Sequence, residues 1–332
     1  MTNGFIPVRL TYCADYGCTT TNNATLGILN EIAAKNPDVN IAGGDFDYLV
    51  DPDCWFTENA ALDPITKLVT IGNHDGPYTT ALTRSYVIAN CPDLGAPDFQ
   101  SKIIAAYPSC FVPGKQYGSV DINNQIHLVN LATDYPRSST GDEGEGAETA
   151  PNIAAQLAEQ SAWLKSDLAN ARCKCDIRWI IVCGHKDIYL SGMRDNEILS
   201  DQANLRDTYH PIFDNYGVDM YLCGHIHDYQ RSYPIRWNHT YDTPPTSTED
   251  DVIDPNGMIH VMVGTGGINH SALSHPTELR PWLAYQDLTN FGFLIIDATY
   301  ETLSCEFWSK NYISGGVWDT PTLRDSFSIT KS

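Results

Sequence analysis

The chain has 332 residues, 42% of them hydrophobic, which is ample for a sizeable core. Twenty Lys and Arg against 41 Asp and Glu leave a net charge of −21, which argues against nucleic-acid or anionic-membrane partners, because their phosphates demand basic surfaces. No apolar stretch approaches the roughly 18 residues of a membrane span, and the N-terminus lacks a signal-peptide apolar run, so a secreted product would be a mature or trimmed form.

In chain order, a buried-strand pattern at 8–13 is followed by helical signals over 25–35, closed by Pro37, and by a second strand at 39–42. A third strand is expected at 68–71 and a helix at 78–89. The stretch 91–151 breaks this rhythm with prolines, cysteines and the acidic loop 141–148, whose spacing matches no EF-hand and reads as solvated. Inside it, strands at 117–122 and 125–133 form a hairpin over Asn123-Asn124. Helix 153–171, strand 179–182, helix 203–216 and strand 218–222 follow, then a Thr-, Pro- and Asp-rich surface loop at 238–256. No internal repeat is visible.

Ten cysteines, an even and high count, favour an oxidising compartment. Cys183 and Cys223 sit in equivalent strand positions and read as buried thiols; most of the others are expected to pair. A Cys13–Cys18 bond would rigidify the Asp15 turn, whereas connectivity among Cys54, Cys91, Cys110, Cys173, Cys175 and Cys305 stays open. Cys173-Lys174-Cys175 reads as disulfide partners rather than a metal clip, having no second pair at zinc-finger spacing. Sequons at Asn23, Asn238 and Asn269 agree with an extracellular glycoprotein.

The strands at 8–13, 39–42, 68–71, 179–182 and 218–222 each run out into a polar or glycine-rich turn. The turns carry Asp15 in Ala14-Asp15-Tyr16-Gly17, Asp45 and Tyr48 in Gly44-Asp45-Phe46-Asp47-Tyr48, Asn73 in Gly72-Asn73-His74-Asp75, His185 in Val182-Cys183-Gly184-His185, and His225 with His227 in Gly224-His225-Ile226-His227. Open α/β sheets gather ligands at the carboxyl ends of their strands, so these clusters can converge. Imidazole, carboxylate, phenolate and amide oxygen suit Zn, Fe and Mn, and a bridging carboxylate, for which Asp45 is the candidate, holds two cations about 3.5–4 Å apart. Each motif alone is a weak signal, and a Gly-Asn-His-Asp turn is more often than not simply a turn, since Asn, Asp and Gly favour that geometry. Their ordered combination points to a dinuclear metal site.

The ordered set resembles the calcineurin-like metallophosphoesterases and, within them, the purple acid phosphatases. Gly17 stands where most of the superfamily has histidine, and Gly-Asp-x-x-Tyr ending at Tyr48 is of the purple type. The resemblance continues through Gln160-Ser161-Ala162-Trp163-Leu164, Leu205-Arg206, His227-Asp228-Tyr229-Gln230-Arg231, Val261-Met262-Val263-Gly264-Thr265-Gly266-Gly267 and a strand pair around 291–307. It implies an α/β fold, a four-layer α/β/β/α sandwich of two mixed β-sheets flanked by helices. Residues 1–332 would form a single domain with an insertion-like region at 91–151, of compact type without the N-terminal β-sandwich of plant members. It further implies Fe(III) on Asp15, Asp45, Tyr48 and His227, and Zn, Mn or Fe(II) on Asp45, Asn73, His185 and His225. His74 would contact the substrate phosphate or protonate the leaving group. Two cations lower the pKa of a bound water, so hydroxide is available for phosphate ester hydrolysis even in acid.

Two departures stand out. Ala14 replaces the usual glycine before the first aspartate. The second substrate-facing histidine about ten residues after His185 is missing; Ser191-Gly192-Met193-Arg194-Asp195 lies there, and Arg194 can bind a phosphate oxygen but cannot act as a general acid. A monoesterase on phosphorylated small molecules or proteins leads the readings. A phosphodiesterase or nucleotide pyrophosphatase on the same metals, and a non-catalytic extracellular protein that keeps the fold, are the alternatives.

Overall fold

Near-continuous apolar strands need cover on both faces, and two packed sheets with helices outside supply it. The computed structural model describes residues 4–17, 24–46, 48, 52–75, 99–133, 150–193, 200–314 and 317–332. Its first half contains β1 (Val8–Cys13), α1 (Ala24–Ala34), β2 (Val39–Ala42), α2 (Pro52–Glu58), β3 (Thr66–Val69), α3 (Phe99–Ala106), β4 (Gly118–Ile122) and β5 (Ile126–Leu131). Then come α4 (Ala150–Cys173), β6 (Trp179–Gly184), α5 (Ser200–Tyr216), β7 (Met220–Cys223), β8 (Tyr229–Ser232), β9 (Asp251–Ile253) and β10 (Ile259–Val263). The chain closes with β11 (Leu283–Asp287), β12 (Gly292–Ala298), β13 (Thr302–Ser309), β14 (Tyr312–Ser314), β15 (Val317–Trp318) and β16 (Thr322–Thr330).

One seven-stranded sheet has the order β3-β2-β1-β12-β13-β16-β9, the other β11-β8-β10-β7-β6-β5-β4. In the first, β1, β2 and β3 are parallel; in the second, β5, β6, β7 and β10 are parallel. The side-chain period of two separates the faces. Ile181 and Cys183 join Leu128, Leu222 and Val261 in the core shared with the first sheet. Ile180 and Val182 pack instead with Leu164 and Leu168 of α4 and Leu205, Tyr209 and Phe213 of α5. On the far side, Ile28, Leu29 and Ile32 of α1 close the first sheet. The expected α/β/β/α layering is therefore observed. Among the described residues no helix is long and apolar enough to cross a membrane.

Asn123 and Asn124 both take positive φ, 52° and 55°, and Gln125 N–H closes the turn on Ile122 O at 2.9 Å, the two-residue hairpin geometry that the Asn pair implies. Strand β3 begins and ends two residues before the expected 68–71, because its register with β2 stops at the pair Ala42 and Val69. Helices α2 and α3 were not foreseen. The expected helix at 78–89, the acidic loop at 141–148 and Arg194 lie outside the described residues.

Cysteine pairing is a correction: Cys13, Cys110, Cys183, Cys223 and Cys305 are buried free thiols, and Cys173 and Cys175 are exposed free thiols. The buried ones pack as small apolar side chains, and Cys13 Sγ lies 3.2 Å from Gly292 O and 3.7 Å from Ala14 O. The side chains of Cys18, Cys54 and Cys91 lie outside the description.

His127 of β5 ties the hairpin to α4. Its Nδ1 meets Asp121 at 2.7 Å and its Nε2 meets Asp167 at 2.8 Å, with Lys174 on the far oxygen of Asp121 and Ser119 donating to Asp167. Burial alone would lower the imidazole pKa, but hydrogen bonds and charges from Asp167 and Asp121 outweigh it and raise the pKa above its ordinary value. A raised folded-state pKa gives stability that is fully present below about 6.5 and lost as pH rises through the folded value. Urea titrations should therefore find wild type ahead of His127→Gln by about 1–3 kcal/mol at pH 6, with the gap narrowing toward pH 9. An equal gap at both pH values would remove the imidazolium from the account.

Candidate metal centre

The carboxyl ends of the parallel strands of both sheets open onto one place. Turns after β1, β2 and β3 deliver Asp15, Asp45 with Tyr48, and Asn73 from the first sheet; those after β6 and β7 deliver His185, His225 and His227 from the second. The turns are sharp enough that Asp15, Asp45 and His225 adopt left-handed backbone, φ 63°, 54° and 73°. Such strain costs on the order of 1–3 kcal/mol per residue and collects at functional sites. Gly72 and Gly224 make room for the carboxylates: a Cβ on Gly72 would lie 2.2 Å from Asp45 Oδ1, and one on Gly224 2.3 Å from Asp15 Oδ2. Ala14 is accommodated because its methyl faces Gly43 and Gly224, where any added Cβ would collide with it.

All seven side chains singled out in the sequence come together in two groups. Tyr48 Oη lies 2.8 Å from Asp15 Oδ1, 2.9 Å from Asp45 Oδ2 and 2.9 Å from His227 Nε2. Asn73 Oδ1 lies 3.0 Å from His185 Nε2 and 2.8 Å from His225 Nδ1. Asp45 joins the groups, its Oδ2 also lying 3.2 Å from His185 Nε2. His74, half-buried, holds its ring 4.2 Å from that of Tyr48 at an interplanar angle of 41° and gives its backbone N–H to Asp45 Oδ1 at 2.7 Å.

This donor set fits a pair of cations. Three acceptors crowd one phenol oxygen that owns a single proton. His227 Nδ1 donates to Asn269 O at 2.8 Å, so the Nε2 facing Tyr48 carries a lone pair in the neutral ring. His185 Nδ1 likewise donates to Gly43 O at 2.9 Å. Burial would lower the His185 pKa, yet the Asp45 charge and hydrogen bond, then Asp15, push it up to about 10: without a metal, a proton is drawn to the position a cation would take. Carboxylate, phenol, imidazole and amide oxygen together match borderline-to-hard metals such as Fe, Zn and Mn.

Asp75 was read only as part of a turn, and the structure gives it more to do. Fully buried, it accepts backbone N–H from Asp45 and Phe46, both at 2.9 Å, and from Gly72 at 2.7 Å, locking the two turns together. A carboxylate two residues after Asn73 in a glycine-initiated turn was its signal. The segment 269–271 reads in the sequence only as a sequon, yet it bonds His227 three times.

A family model described as calcineurin-like phosphoesterase matches residues 8–229, and one described as iron/zinc purple acid phosphatase-like protein C matches residues 257–320. An uncharacterized protein of Mycobacterium tuberculosis is 30% identical over 211 residues, covering 52% of this chain and 39% of its own length. An acid phosphatase of Aspergillus ficuum is 27% identical over 319 residues, covering 78% of this chain and 50% of its own length. The chain thus spans half or less of the length of these relatives. Among solved structures, a purple acid phosphatase isolated from yellow lupin seeds superposes with a TM-score of 0.68 at 18% identity, covering 98% of this chain and 54% of that one, a likeness of fold.

Proposed function

The chain belongs to the calcineurin-like phosphoesterase family, its sequence likeness running to the purple acid phosphatases within it, and from that premise we propose that it is a dinuclear metal phosphatase acting on phosphate monoesters. The observation that carries the reading is the convergence of seven donor side chains into two groups that share Asp45. In this reading Asp15, Asp45, Tyr48 and His227 hold Fe(III), while Asp45, Asn73, His185 and His225 hold Zn, Mn or Fe(II). Bound there, the pair supplies Lewis acidity and an activated water. Asp75 keeps Asp45 in place, and the ring nitrogens of His185 and His227 are set by the carbonyls of Gly43 and Asn269. His74, beside Tyr48 at the rim, donates to the phosphate or the leaving oxygen. Arg194 is a further candidate for a phosphate oxygen.

Strands from both ends of the chain share one sheet, which supports reading residues 1–332 as one metallophosphoesterase unit. Free thiols remove the cysteine count as support for an extracellular setting. That setting is supported by the exposed sequon residues Asn238 and Asn269.

Turnover of p-nitrophenyl phosphate against its bis-ester, with and without chelator, tests the assignment. Faster, chelator-sensitive monoester cleavage is expected; preference for the bis-ester would favour a phosphodiesterase, and no cleavage of either with both metals bound would favour a non-catalytic protein. His74→Ala should keep both metals and lower kcat by about 10²–10⁴-fold. Unchanged kcat in that variant would take His74 out of the chemistry.

A further inference from the structure

Three consecutive residues far along the chain hold one metal-facing histidine from three sides. Ser271 Oγ accepts the backbone N–H of His227 at 2.9 Å, His270 Nδ1 donates to the carbonyl of His227 at 2.8 Å, and Asn269 O accepts the ring Nδ1–H at 2.8 Å. The same loop, leaving β10, also grips the turn of Asp15. Gly266 N–H donates to Ala14 O at 2.9 Å and Ile268 N–H to Asp15 O at 3.2 Å. Gly17 allows this approach, since a Cβ there would lie 2.6 Å from Gly267 O. His270 is itself braced, its ring stacked on Phe291 with centroids 4.7 Å apart.

Asp15 and His227 both belong to the group around Tyr48. His185 is held elsewhere, by Gly43 O, and the His225 backbone is held by Asp15 Oδ2. We propose that the segment Asn269-His270-Ser271 is a positioning clamp for His227, so that retention of the metal in the Tyr48 half depends on a loop that contributes no donor to either cation. The proposal rests on the dinuclear reading. Its physical basis is that a ligand whose backbone and ring are both fixed loses little freedom on binding, and that groups orienting ligands commonly change metal affinity by about 10–100-fold.

The test loads full-length protein with ferric iron and zinc, dialyses it against graded EDTA, and counts both metals per chain. His270→Ala/Ser271→Ala should release iron at roughly 10–100-fold lower EDTA than wild type while keeping its zinc. His270→Asn/Ser271→Thr, which restores an N–H donor and a hydroxyl acceptor, should recover wild-type retention. All three metal-free proteins should melt in one cooperative step, with His270→Ala/Ser271→Ala lowered by the loss of two hydrogen bonds and the Phe291 stacking. Equal iron retention in the alanine variant, joint loss of both metals, no recovery in the conservative variant, or loss of the cooperative metal-free melting step in the alanine variant would each overturn the clamp while leaving the dinuclear reading in place. A wild type that binds fewer than two metals would end that reading, and the clamp with it.

Discussion

Asp45→Asn is expected to abolish the dinuclear centre: metal content falls in both halves, and kcat/KM on p-nitrophenyl phosphate drops by at least about 10³-fold, on the order of 4 kcal/mol of transition-state stabilisation. One oxygen of Asp45 faces Tyr48 and His185 at 2.9 and 3.2 Å, and the other accepts the His74 N–H at 2.7 Å. An amide in its place has lost the negative charge, and its NH2 must face one of these partners. Burial would raise the Asp45 pKa, but His185 and His74 hold it well below the ordinary carboxylate range, so the charge is present over the working pH. Elemental analysis beside kinetics decides the matter, with circular dichroism to verify the fold. An active variant that keeps two metals would show that Asp45 does not bridge.

The seven candidate donors were legible because each follows a buried strand, and strand ends announce themselves by the change from apolar residues to Gly, Asp, Asn and His. The ends themselves were less legible. Pairing of β3 with β2 stops at Val69, a consequence of register with a neighbour, and nothing local in Leu68-Val69-Thr70-Ile71 marks it. Membership of the two sheets was out of reach for the same reason, since β12 lies against β1 across nearly the whole chain. Asp75 and His270 work through backbone groups of other turns; the glycine-initiated turn marks Asp75 only as a turn carboxylate, and nothing local marks the contact of His270 with His227. Cysteine count misled because a thiol such as Cys305, fully buried on β13, is explained by packing alone. Ala14, the departure from the family's glycine, finds room for its methyl beside Gly43 and Gly224, which only the fold brings together.

Tyr48→Phe should erase the colour of the iron-loaded protein and loosen its ferric site. Tyr48 Oη sits among Asp15, Asp45 and His227 at 2.8–2.9 Å, and without a cation, burial followed by the charges of Asp15 and Asp45 holds the phenol protonated, its pKa well above the ordinary value. Only a strongly charged ion at that point can reverse the balance and favour phenolate. A phenolate on Fe(III) gives a broad visible absorption and favours the ferric state over the ferrous. Phenylalanine keeps the ring against His74 and removes the oxygen, so the fold should survive while the band disappears and iron becomes easier to reduce or chelate. The alternative is that Tyr48 merely packs beneath the strand end while zinc fills both halves. Visible spectra and iron content of wild type and variant after iron-supplemented expression separate the two. An iron-loaded wild type without a visible band, or a band unchanged in the variant, would remove the ferric assignment and leave a dinuclear phosphoesterase of another metal composition, because Asn73, His185 and His225 still converge with Asp45 on the other half.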